Sequence, residues 1–144
     1  IRDSIITILL ISSGPRLDSD LGHEWIVGEE RPLIIAHRGG SDIFPENTLY
    51  SIEKAIEYNL SWIEVDVKIS KDNIPFLLHD NLLNRTTNGK GLPCNFNYKQ
   101  IKKLNAAKLY NSKIINIYPP TLEEVLSLCS KKNIGFIEIV TNRD

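Results

Sequence analysis

Methionine is absent from the 144 residues, cysteine occurs twice and histidine three times. The two cysteines, Cys94 and Cys129, lie far apart and match no zinc or redox spacing, which excludes a disulfide scaffold and a thiolate metal site. They are expected to be buried or half-buried thiols. Charge of either sign is not in excess: 17 Lys and Arg stand against 18 Asp and Glu, a formal net charge of −1. No basic surface for a nucleic acid is implied. Long hydrophobic runs are missing too. The run Ile5–Ile11 is far shorter than the ~20 apolar residues a bilayer span needs. Internal repeats and low-complexity tracts are also lacking.

What remains is an ordinary globular composition, 42% hydrophobic and 24% charged, in a chain long enough for one domain with a core. Residues 1–32 read as a leader, because Gly14, Pro15, Gly22, Gly28 and Pro32 break them. The apolar run followed by Ser12-Ser13-Gly14-Pro15 suits the tail of a signal peptide, a stray strand or a disordered leader. Cytoplasmic and exported locations both stay open. Ile1 stands first, no methionine follows, and a polar end, residues 141–144, trails a strand-like run. The expectation is a fragment or a processed product.

Order is expected from Leu33. Leu33–Ala36 has the character of a buried parallel strand, and Gly39-Gly40 breaks the chain after it. A helix is expected over 48–58, capped by Asn47 or Thr48, with Leu49, Ile52, Ala55 and Ile56 on one face and Asn59 as a left-handed stop. Residues 62–69 alternate as a second strand. A turn at Lys71-Asp72-Asn73 leads to a third strand over 74–79. Residues 80–119 lack regular pattern apart from a short helix after Asn97. Thr121 and Glu124 form a capping box opening a helix with Leu122, Val125, Leu126 and Cys129 inward. A fourth strand covers 134–140. Strands alternating with amphipathic helices imply a parallel α/β architecture, either a barrel or an open sheet.

Polar residues sit where buried strands should not want them. His37-Arg38 ends the first strand, Glu64 and Asp66 lie on the second, and His79-Asp80 ends the third. In parallel α/β folds the C-terminal strand ends build the active site. Glu64 and Asp66 are two apart on a strand, so both carboxylates face one side. Two close carboxylates repel unless a proton or cation separates them. An oxygen-only pair suits Mg²⁺ or Ca²⁺ better than zinc. The competing reading is an exposed polar face on an edge strand. Arg38 beside two glycines suits an anion, since arginine grips phosphate bidentately and glycine lets backbone come close. Two histidines at neighbouring strand ends suit acid–base work near neutral pH. Arg85-Thr86-Thr87 is expected to order the loop behind His79, and Glu46 to have a structural role.

These motifs as a set resemble the glycerophosphodiester phosphodiesterase family. The matching segments are Ala36-His37-Arg38-Gly39-Gly40, Pro45-Glu46-Asn47-Thr48, Ile63-Glu64-Val65-Asp66-Val67, Leu78-His79-Asp80, Leu83–Gly89, Pro119–Leu126 and Ile137-Glu138-Ile139. The resemblance implies the N-terminal part of a TIM-type (β/α) barrel, about four parallel strands and incomplete, with an insertion at about 81–118. It implies His37 and His79 as general acid and base and Arg38 as the phosphate holder. Glu64, Asp66 and Glu138 would bind one divalent cation, Mg or Ca. The implied reaction is hydrolysis of a small-molecule glycerophosphodiester to an alcohol and sn-glycerol 3-phosphate. Val140 stands where the family usually has lysine. With only part of a barrel present, that departure supports a second expectation: a truncated or decayed member, with metal or phosphate binding but little turnover. A binding module that never turned over is the third.

Overall fold

The computed structural model describes residues 8–9, 33–60, 62–110, 117–132, 134 and 136–140. Among the described residues the strands are β1 (Ile8–Leu9), β2 (Leu33–Ala36), β3 (Trp62–Ile69), β4 (Pro75–Leu77) and β5 (Phe136–Val140). Three α-helices accompany them: α1 (Leu49–Glu57), α2 (Tyr98–Ile101) and α3 (Leu122–Lys131). β3 is the axis of the sheet. β2 pairs parallel with its start, Ile35 opposite Trp62 and Ala36 opposite Ile63. β5 pairs parallel along its first five residues, from Trp62 opposite Phe136 to Asp66 opposite Val140. β1 joins β2 antiparallel; the rest of the apolar run and of the leader lies outside the described residues.

The expected four parallel strands are corrected to three among the described residues, β2, β3 and β5. β4 runs antiparallel to β3, with Val67 opposite Leu77 and Ile69 opposite Pro75. The reason is chain length. Only residues 70–74 separate the two strands, and a parallel return needs a crossover of about a dozen residues or more. Asn73 adopts a left-handed φ of 60° in this turn. Ser70 Oγ accepts from the Ile74 N–H at 3.0 Å and closes it.

Sequence spacing places the helices well. Thr48, not Asn47, caps α1, its Oγ1 accepting from Ser51 N at 3.1 Å. Thr121 caps α3 by accepting from Glu124 N at 3.1 Å, and Glu124 returns the bond to Thr121 N at 2.9 Å. Ile63, Val65 and Val67 pack on Ile52 and Ala55 of α1 and on Val125 and Cys129 of α3. Leu126 does not join them: it is exposed, and Leu128 packs on the core instead. Cys129 is buried as expected, whereas Cys94 is exposed. A second small core holds Phe76, Leu78, Leu83 and Ile101. It anchors the irregular segment after β4 to the sheet.

Candidate active site

β3 presents Ile63, Val65 and Val67 to the helices, so Glu64 and Asp66 point to the opposite side. Both are buried, 6% and 3% exposed. β3 lies between β2 and β5, so the edge-strand reading of this carboxylate pair is set aside. Register places Glu138 beside Glu64 and Val140 beside Asp66. The side chains of Glu138 and Val140 lie outside the described residues.

His37 follows the last residue of β2 and starts a tight turn. Arg38, Gly39 and Gly40 have φ of 50°, 78° and 104° in succession. A left-handed arginine is unfavourable by roughly 1–2 kcal/mol. Gly39 has no alternative here: a Cβ would lie 2.5 Å from Ser51 Oγ. The turn swings the Arg38 N–H onto Glu64 Oε2 at 2.7 Å. His37 Nε2 lies 3.9 Å from the same oxygen. Arg38 Nε is buried 3.4 Å from Asp66 Oδ2, and Nη1 reaches Glu46 Oε1 at 3.2 Å. Burial lowers the His37 pKa, and the neighbouring Arg38 cation lowers it further despite the carboxylates nearby. The imidazole is therefore neutral near pH 7 and able to take a proton.

Asn47 braces the second carboxylate. Its Nδ2 donates to Asp66 Oδ2 at 2.9 Å while its Oδ1 accepts from Asp66 N at 3.0 Å. From sequence, Asn47 is equally suited to cap α1. Nothing local separates the two roles, because the partner is 19 residues on.

His79 reaches the same rim by an unexpected route. It does not end a parallel strand. The antiparallel return of β4 brings it back toward Asp66, whose carbonyl accepts from Leu78 N at 3.0 Å. His79 Nδ1 is 2.8 Å from Asp80 Oδ1. Hydrogen bonds from Arg85 outweigh partial burial and bring the Asp80 pKa down to about 2. Asp80 is then a carboxylate and can only accept, so the Nδ1 atom carries the proton and Nε2 is left as the reactive nitrogen.

Arg85 orders the loop behind His79, as expected, and does more. Its Nε and Nη2 donate to the two oxygens of Asp80, and its Nη1 and Nη2 donate to the two oxygens of Glu46, all at 2.7 Å. Burial works against ionisation of Glu46, yet the Arg85 bonds and charge hold its pKa below the usual range. Glu46 thus joins the loop after β2 to the loop after β4. A cavity of about 240 Å³ adjoins this bridge, lined by Ser41, Glu46, Thr86, Ala106, Leu109 and Tyr110.

Among the described residues, no three His, Cys, Asp or Glu side chains gather closely enough to hold a metal. The donor chemistry nonetheless fits a hard cation. Two buried carboxylates share one face of β3, and a third acidic residue stands at the next position across the sheet.

Comparison with known proteins places the chain in a family. The model of the "Glycerophosphoryl diester phosphodiesterase family" matches residues 37–140. The chain belongs to that family. Human "Glycerophosphodiester phosphodiesterase 1" is 36% identical over 135 residues, covering 91% of this chain and 40% of the relative. A glycerophosphodiester phosphodiesterase from Caldanaerobacter subterraneus is 40% identical over 103 residues, covering 72% of this chain and 42% of the relative. Among solved structures, a phosphodiesterase from Oleispira antarctica in complex with the product sn-glycerol-3-phosphate superposes with a TM-score of 0.70. It is 37% identical, and the match covers 75% of this chain and 44% of that one. The chain spans less than half the length of these relatives. No helix among the described residues is long and apolar enough to cross a membrane.

Proposed function

We propose that this chain carries the acid–base and cation-binding half of a (β/α)-barrel phosphodiesterase site, which hydrolyses glycerophosphodiesters to an alcohol and sn-glycerol 3-phosphate. The observation that carries the reading is the buried Glu64–Asp66 pair, flanked by Arg38 and His37, with His79 returned to the same rim. Two carboxylates buried on one strand face repel each other, and an oxygen-rich pair of this kind suits a shared hard cation.

Glu64, Asp66 and Glu138 would hold one Mg²⁺ or Ca²⁺. When bound, the cation supplies Lewis-acid polarisation of a phosphoryl oxygen. Arg38 has guanidinium donors left over from its contacts with Glu46 and Asp66, and these orient the phosphate. One imidazole takes a proton from the attacking hydroxyl or water, and the other returns one to the leaving alkoxide. His37 is neutral by burial, and His79 offers Nε2 because Asp80 holds Nδ1–H.

The test is calorimetric titration with Mg²⁺ or Ca²⁺, combined with an assay for released sn-glycerol 3-phosphate. Asp66→Asn is expected to weaken cation binding by at least tenfold, since even outer partners of metal ligands cost ~10–100-fold. Turnover should fall with it. Unchanged cation affinity in a folded Asp66→Asn variant would remove the carboxylate site from the reading.

Val140 favours a second reading, a member with cation and phosphate binding but little turnover. It registers beside Asp66 and offers no charge where the family usually has lysine. Val140→Lys is then expected to raise kcat by ~10²-fold, the scale of one well-placed charge-stabilising donor. No gain with intact cation binding would count against the second reading.

A further inference from the structure

We infer that Arg85 is a positioning residue for His79, acting by locking Asp80 to Glu46 across two loops. The inference deepens the hydrolase reading, on which the role of His79 rests, but its geometry stands apart from turnover.

Arg85 has five N–H donors, and its four hydrogen bonds all go to two carboxylates 34 residues apart in sequence, Glu46 and Asp80. Its side chain is 38% exposed, so burial does not demand this. Asp80 Oδ1 accepts from both Arg85 Nη2 and His79 Nδ1, at 2.7 and 2.8 Å. Without Arg85 the Asp80 carboxylate is free to rotate, and nothing else described holds the Nδ1–H bond in place. Glu46 fixes the other end. Its Oε1 is shared between Arg85 and Arg38, at 2.7 and 3.2 Å. Arg85 therefore sets the His79 imidazole relative to the arm proposed to hold phosphate. A lysine could keep the charge but could not bridge both carboxylates with a rigid planar fork.

Imidazole nitrogen-15 NMR on the whole chain at mildly alkaline pH tests this, with the His79 signal assigned by its loss in His79→Gln. The wild type is expected to hold His79 in a single Nδ1–H tautomer. Arg85→Gly and Arg85→Lys should each give a mixture of tautomers. Millimolar guanidinium should restore the single form in Arg85→Gly, and methylammonium should not. In the turnover assay both variants are expected to lose kcat by ~10–100-fold with KM changed by less than about threefold. A single Nδ1–H tautomer in either folded variant, or a mixture in the wild type, overturns the inference. The tautomer decides the positioning role whether or not the wild type turns over. Absence of turnover in the wild type would instead overturn the hydrolase reading.

Discussion

Replacing His79 with glutamine is expected to lower kcat by about 10²–10⁴-fold, the usual worth of one positioned proton transfer, with cation affinity and fold retained. The separation of effects follows from where the side chain sits. His79 is about one-third exposed and lies outside both hydrophobic clusters. Its loop is held by Leu78 and Leu83 in the small core, not by the imidazole. Glutamine leaves no cavity and removes no described contact to Glu64 or Asp66. The loss should therefore fall on kcat, with KM and the calorimetric cation constant little changed. His37→Gln should behave differently, because His37 Nε2 faces Glu64 at 3.9 Å. That variant should alter cation binding as well as rate. A His79→Gln enzyme with kcat within about threefold of wild type would assign the proton transfer elsewhere.

Phe76→Ala is expected to destabilise the fold by ~3–5 kcal/mol, the range for emptying a buried phenylalanine site. Against total stabilities of about 5–15 kcal/mol, that is a large fraction. Phe76 is fully buried on β4 and packs with Leu78, Leu83 and Ile101. Its ring lies 6.2 Å from that of Tyr98, tilted by 44°. This cluster is small and includes Leu78, just before His79-Asp80, and Leu83, shortly after it. Its loss should loosen the catalytic loop before the main core, where Ile63 and Val65 pack on two helices. Thermal unfolding followed by circular dichroism gives the size of the loss. Hydrogen exchange would show whether amides near 78–87 open first. Equal protection across both clusters in the variant would contradict a separately anchored loop.

Much of this was legible in the residues. The alternation from Trp62 to Ile69 matches β3 at both ends, and the spacing of Leu49, Ile52, Ala55 and Ile56 matches α1 within a residue. α1 and α3 begin at threonines, Thr48 and Thr121, that capping chemistry favours. Strand parity alone put Glu64 and Asp66 on one side. The direction of β4 was also implicit, since the turn at 71–73 is too short for a parallel return. Other features were not readable. Periodicity puts Leu126 on the inward face of α3, but Leu128 packs on the core and Leu126 is exposed. The bridge from Glu46 through Arg85 to Asp80 joins residues that no local pattern connects. Asn47 holding Asp66 is the same kind of pairing, visible only when two distant segments are side by side.

β3 pairs with β5 over its first five residues and with β4 over its last three. The strand therefore works as a ruler. One rigid rod holds Glu64 and Asp66 and carries, at its far end, the hairpin that delivers His79. A residue inserted between Asp66 and Val67 would lengthen the rod by about 3.3 Å and turn the hairpin over, reversing which side chains face the site. The same insertion in the irregular stretch after Gly89 would leave the spacing intact. Tolerance to length change along this chain should thus be graded by distance from the rod and not by distance from the chemistry.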